Sequence, residues 1–301
     1  MSRDADLRHD STEMAHLVGE FIFWFATVLI TTRCGRRWWL LYQGIMTLGI
    51  ALMGFISPHF AYNTVMKSLV GDFDDCHNFT IRVFSLLYLI YGLTLLYCLS
   101  STDNRAVSAL MESLCVAYAL QFICHFVFWV RKPTGEPVHY PEKGLPFFLA
   151  MMLGNFLYLI VGQTDYSDIK KQSGNLNARF DALALFIIGG SVYAFSKDIL
   201  HLMTNKTDFD SAHVEVLSVA SCYILCSATI SLQADVFTQE TRRKMYLCRI
   251  FESVCCIALV LTYFFFYDVL TTTSLWVVLM YGMLAGNALI AIKKLPAKSK
   301  D

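Results

Sequence analysis

The sequence predicts an all-α polytopic helical membrane protein built as two tandem four-helix transmembrane bundles. Three observations carry that prediction. Of 301 residues, 56% are hydrophobic and only 16% charged, where a soluble domain carries about a quarter charged residues. The apolar residues gather into runs of about 20, the length that crosses about 30 Å of hydrocarbon. Finally, Glu112-Ser113-Leu114-Cys115 returns 140 residues later as Glu252-Ser253-Val254-Cys255, a shift near half the chain. The formal net charge is zero, which gives no basis for a nucleic-acid partner or an acidic substrate. The expected partners are the lipid bilayer, other proteins or a second copy of the chain.

Residues 1–37 read as a polar cytosolic tail followed by a short apolar segment, His16–Thr32. That segment holds Glu20 and is followed by Arg33, Arg36 and Arg37. A secretory signal has its basic flank first, so an interfacial or re-entrant helix is expected, with a further span as the alternative. Residues 38–162 form the first four-helix unit, with spans Trp38–Ser57, Val83–Ser100, Ala106–Trp129 and Leu145–Gly162. Pro58 stops the first, because its ring removes a backbone donor and restricts the residue before it. Pro133, Pro137 and Pro141 stiffen the turn before the fourth. Residues 163–179 are a polar linker. The second unit, 180–292, has spans Phe180–Leu200, Val214–Gln233, Met245–Tyr267 and Ser274–Ile292, and 293–301 is a basic cytosolic tail.

Lys and Arg concentrate in the segments that share a side with the N-terminus, which predicts both termini in the cytosol. Endomembrane and plasma membrane both fit. Two glycosylation acceptors, Asn78-Phe79-Thr80 and Asn205-Lys206-Thr207, fall on the opposite side. Asn205 is the better placed, since Asn78 lies close to the second span.

Polar groups inside spans are costly and ask for a reason. Glu112 and Glu252 occupy matched places in the third and seventh spans, each about 10 Å inside the cytosolic end. Arg249, three residues before Glu252, shares its helix face, as Arg105 does with Glu112. Asn155 and Asn287 each follow a glycine, so a neighbouring helix approaches closely and the amide bonds across it. Gln121 and His125 are four apart on one face. These six residues are the candidate intramembrane polar site. Arg82 and Glu215, at the outer mouth of the second and sixth spans, read first as side chains snorkelling to the interface, with mutual attraction as the alternative.

No nucleophile elbow, zinc-protease pair, phosphate loop or histidine box is present, and no cysteine spacing fits a zinc or redox site. No catalytic residue, cofactor or metal is therefore expected, and the mostly apolar cysteines read as packing residues.

The residues Arg37-Trp38-Trp39, Gly49-Ile50-Ala51-Leu52-Met53, Pro58, Ile81-Arg82, Glu112 and Gln121-Phe122 resemble the four-helix membrane family of tumor protein p53-inducible protein 11. The resemblance runs from Trp38 to about Gly162 and leaves the second half as a diverged copy without equivalents of Arg37, Pro58 and Arg82. It implies a non-enzymatic membrane protein, without catalytic residues or cofactor, acting through protein or lipid contacts in growth control. The alternative is a transporter or channel for a small solute or ion at the interface between the repeats, centred on Glu112 and Glu252. A polar seam joining the glutamates and asparagines would favour transport, and dry ion-paired glutamates would favour the structural reading.

Overall fold

The computed structural model describes residues 18–30, 35–65, 73–100, 103–130, 140–161 and 176–295. The polar tails, Cys34, most of the proline-rich turn and most of the interhalf linker lie outside the described residues. The helices are α1 (Val18–Ile30), α2 (Arg36–Ile56), α3 (Pro58–Val65), α4 (Asp75–Leu99), α5 (Asn104–Val130), α6 (Tyr140–Val161), α7 (Leu176–Ala194), α8 (Ser196–Met203), α9 (Ser211–Leu232), α10 (Gln239–Phe265) and α11 (Leu275–Lys294). Among the described residues there is no strand beyond an isolated bridge between Thr204 and Leu270. Six helices are long and apolar enough to cross a membrane, and α7 with α8 makes a seventh if that bent pair is one span. The chain is an all-α, multi-pass membrane protein.

The helix ends follow from local chemistry. Pro58 begins α3, so α2 stops one residue earlier at Ser57. The Asp74 side chain accepts from the His77 amide and starts α4 at Asp75 rather than Val83. Thr238 caps α10, which therefore starts at Gln239 rather than Met245. The expected single span Phe180–Leu200 is broken: α7 and α8 meet at 97° around Phe195. The expected fourth span lies in α6, which starts at Tyr140 with Pro146 in its second turn, but its apolar part, Leu145–Ile160, is shorter than the six. Among the described residues, six or seven spans therefore replace the eight expected.

Each half uses one element order: a long helix, a short one, then three long ones. In the first half these are α2 to α6, and in the second α7 to α11. The packing partners match as well. Helix α2 packs on α4 as α7 does on α9, and α5 packs on α6 as α10 does on α11. Across the halves α5 meets α9, α10 meets α4, and α4 and α9 face each other. Helix α9 is central: 83% of its apolar window is buried, against 22% for α11.

Helices α2 and α4 come close because Gly44 and Gly92 leave room for Leu96 and Leu48 of the partner, a Cβ on Gly44 standing 2.8 Å from Leu96 Cδ2. Trp39 anchors the first half, stacked between Tyr42 and Tyr158 at centroid distances of 5.8 and 5.7 Å. The apolar segment before α2 is helical over its described residues, Val18–Ile30. Its Val28 fills the gap at Gly154, and Trp24 sets its ring edge on Phe147 at 4.9 Å. Outward-facing Ile45, Ile56, Leu183, Phe266 and Trp276 stay exposed and form the surface offered to lipid.

Candidate functional site

The six intramembrane polar residues do not meet at one site. Glu112 accepts from Gln233 Nε2 at 2.6 Å, at the far end of α9. Glu252 is paired with Arg249, which also donates from Nε to Asp181 Oδ2 at 3.1 Å. Ser231 adds a 2.5 Å hydrogen bond to the same Asp181 oxygen. One buried guanidinium thus serves two buried carboxylates, joining α7, α9 and α10. Asn155 Oδ1 accepts from Trp39 Nε1 at 3.0 Å and Gln43 Nε2 at 2.9 Å, tying α6 to α2. In the second half Asn287 accepts from Asn177 Nδ2 at 2.8 Å and donates to the Asn177 carbonyl at 2.9 Å, tying α11 to α7. These four residues act as clamps between helices.

Gln121 lines a cavity of about 400 Å³ between α2, α4, α5, α6 and α9, while His125 stands behind the wall and is linked to it through Glu215. Its wall is mostly apolar, with Met46, Met53, Phe84 and Phe148, and Trp24 of α1 closes one side. Besides tyrosine rings, four polar residues break that wall: Glu20 of α1, Ser85, Gln121 and Glu215. Gln121 is fully buried beside the Tyr223 phenol, and neither amide atom makes a well-formed hydrogen bond among the described residues. Ser85 is fully buried and its hydroxyl also has no partner among them. Glu215 reaches the cavity too, but His125 Nδ1 holds its Oε1 at 2.6 Å, with the imidazole stacked on Phe148. No ion pair between Arg82 and Glu215 is seen among the described residues. Glu215 belongs to His125, and the Arg82 guanidinium lies 6.0 Å from the Phe55 ring centre.

At the mouth of the bundle nearest the cavity, the N-termini of α4 and α9 are clasped. Asp74 caps α4 and Asp210 caps α9, each accepting from the amide three residues on, at His77 and His213. The two imidazoles stack with centroids 3.5 Å apart, and each reaches both carboxylates. Burial pushes both carboxyls up. For Asp74, the Lys206 ammonium, the His77 amide and the two rings outweigh that and hold it well below the usual carboxylate range. For Asp210, burial is likewise outweighed by hydrogen bonds and charge from His213 and His77. At the opposite end Asp103 caps α5 and accepts from the Thr238 amide at 2.8 Å, so the N-termini of α5 and α10 are joined too.

A family model described as a domain of unknown function, DUF8292, matches residues 41–293. The chain belongs to the DUF8292 family. No curated protein and no solved structure matches it. The matched region of this DUF8292 chain runs from within α2 almost to the end of α11, so it includes the clasp and all of the cavity wall but the part that α1 supplies. All nine described cysteines are free.

Sequence reasoning missed two constellations in the DUF8292 chain. Asp181 lies in an apolar run, which was signal enough to mark it. The clasp had a clearer sign: Phe73-Asp74-Asp75-Cys76-His77 and Phe209-Asp210-Ser211-Ala212-His213 repeat one Phe-Asp-x-x-His pattern. Counted from these caps, Ser85 stands level with Ser221 rather than Ser218. Of the two sequons, Asn205 lies exposed after α8. Asn78 lies in the first turn of α4, with Phe79 and Thr80 buried, which is not the surface loop that glycosylation uses.

Proposed function

We propose that this chain is a non-enzymatic membrane protein of the p53-inducible protein 11 type that acts through lipid contacts, holding a neutral amphiphilic lipid in the cavity beside Gln121. The observation that carries this reading is the cavity itself: about 400 Å³ of mostly apolar space with the unpaired Gln121 amide and Ser85 hydroxyl in its wall. Small-molecule sites occupy about 300–1,000 Å³ and combine apolar walls with a few placed polar groups. A buried polar atom without a partner costs about 1–3 kcal/mol, and a lipid hydroxyl or ester would supply that partner. A neutral head suits the Gln121 amide and the Ser85 hydroxyl, and of the two carboxylates in the wall, Glu20 and Glu215, the second is held by His125. The membrane around the exposed helix faces supplies such molecules. Growth control rests on the resemblance alone.

Two structural readings belong with it. The halves descend from one four-helix unit by tandem duplication, supported by the shared element order and the repeated Phe-Asp-x-x-His caps. The Lys and Arg bias supports both termini on the cytosolic side, with Asn205 glycosylated on the other. The placement of Glu112 and Glu252, held by Gln233 and Arg249, favours structural roles over an ion path between the halves.

The test uses the full chain in nanodiscs with a diazirine-bearing monoacylglycerol. Labelling is expected to saturate, to map to cavity residues such as Met46 and Met53, and to be competed by the unlabelled lipid. Gln121→Leu is expected to weaken binding about tenfold, the equivalent of one buried hydrogen bond. Labelling that never saturates, or that marks only the exposed helix faces, would overturn the reading. So would solute flux in sealed vesicles that depends on Glu112 and Glu252.

A further inference from the structure

We propose that Asp74, His77 and His213 form a binding site for a divalent first-row transition ion of the Zn2+ class, with Asp210 as the residue that positions both imidazoles. One ligand atom from each of the three residues lies within 4.8 Å of the other two. Asp74 Oδ1 stands 2.9 Å from His77 Nδ1 and 3.2 Å from His213 Nε2. Ligands bound at about 2.0–2.2 Å to one such ion stand about 2.9–3.5 Å apart, so the side chains are already at chelating separations. Two imidazoles and one carboxylate are a donor set that suits these ions.

The hydrogen count makes the case stronger. Four ring nitrogens face carboxylate oxygens: His77 Nδ1 and His213 Nε2 face Asp74, while His213 Nδ1 at 2.6 Å and His77 Nε2 at 3.0 Å face Asp210. A neutral imidazole has one N–H, so two neutral rings satisfy two contacts and leave two nitrogen lone pairs against an anionic oxygen. Two imidazolium rings would satisfy all four, but at the cost of stacking two cations 3.5 Å apart with almost no exposure. One divalent ion carries the charge of those two protons without that repulsion. The protons then lie on the Asp210 side, and both lone pairs point with Asp74 Oδ1 at the ion. His77 Nδ1 carries its lone pair here, since the Asp74 amide donates to it at 3.4 Å, and the ion would displace this long contact.

The surroundings fit. Metal-bound histidines almost always give their second N–H to a carboxylate or carbonyl. Asp210 has that relation to His213, and it stands 3.0 Å from His77 Nε2 without a well-aligned hydrogen bond. Tyr62 and Phe209 pack on the outer sides of the imidazoles and form an apolar shell. Asp74 and Asp210 are partly exposed at the bundle mouth, which provides the entry path. Two effects act against the ion: the positive ends of α4 and α9 and the Lys206 ammonium. The two carboxylates offset the helix ends, and Lys206 takes Asp74 Oδ2, leaving Oδ1 turned to the rings. Because the ligands come from both halves, the ion would join them.

The experiment is Zn2+ titration of the full chain, purified in detergent and stripped with a chelator, read by calorimetry and by thermal unfolding, with Co2+ absorption reporting nitrogen and oxygen ligation. The expected result is one equivalent bound with a rise in unfolding temperature. Asp210→Asn keeps the cap acceptor and is expected to fold while losing about 10–100-fold in affinity. His77→Gln with His213→Gln is expected to abolish binding. No stoichiometric binding by the wild type, or binding unchanged in the Asp210→Asn and double-Gln chains, would overturn the proposal.

Discussion

Asn155 joins two helices through one amide. Its oxygen accepts from Trp39 and Gln43 of α2, and its nitrogen donates to the Met151 carbonyl at 2.8 Å within α6. Removing it leaves two buried donors without an acceptor, so Asn155→Ala is expected to cost about 1–3 kcal/mol. Asn287 is only half-buried, where water and headgroups replace the lost bond, so Asn287→Ala is expected to cost less than about 1 kcal/mol. Reversible unfolding in detergent, compared between the two variants, checks the order. The sequence marked both asparagines because an amide after a glycine in an apolar run needs a partner. It did not name the partners, because Trp39 and Gln43 lie more than a hundred residues away along the chain. His77 and His213 were harder to read: a helix cap carries no hydropathy signal, so the two histidines looked scattered until the caps placed them face to face.

At the scale of elements, the pairing of α7 with α10 rests on charge. Arg249 is held between Asp181 and Glu252, all three buried. Breaking a buried ion pair strands charge in low dielectric, so Arg249→Met is expected to destabilise by about 3–5 kcal/mol. Replacing all three by apolar residues (Asp181→Leu, Arg249→Met and Glu252→Leu) is expected to recover most of that loss, since the apolar set has no charge to desolvate. Thermal unfolding of the single and triple variants tests this, and a triple variant as unstable as the single one would contradict it. Arg249 and Glu252 were legible as a pair three residues apart on one helix. Asp181 was not, because its role needs the approach of a second helix. Element ends show the same contrast. Pro58 announced the break between α2 and α3. The 97° turn between α7 and α8 has no proline or glycine at Phe195, and the polar Ser196-Lys197-Asp198 that follows it reads equally as the end of a span.

At the scale of the molecule, two similar halves are joined at both ends. The Asp–His clasp links α4 to α9 at one end, and Asp103 links α5 to α10 at the other. The sequence pointed to two halves through the shift from Glu112-Ser113-Leu114-Cys115 to Glu252-Ser253-Val254-Cys255. It did not show the cavity, whose wall draws on helices from both. Sidedness is testable separately. In a glycosylating host, Asn205→Gln is expected to remove an endoglycosidase-sensitive mobility shift, and Asn78→Gln is expected to leave it unchanged. A wild-type chain without that shift would contradict the assignment of the Asn205 end to the non-cytosolic side.

The central claim is that the cavity beside Gln121 holds a neutral lipid. The most direct measurement is mass-spectrometric quantification of the lipid retained by the purified full chain, compared with a Ser85→Phe variant whose ring occupies the cavity. The account predicts about one neutral amphiphilic lipid per chain in the wild type, enriched over the surrounding membrane, and its loss from a Ser85→Phe chain that remains folded. Retained lipid that merely mirrors the membrane, in equal amount in both proteins, would contradict it.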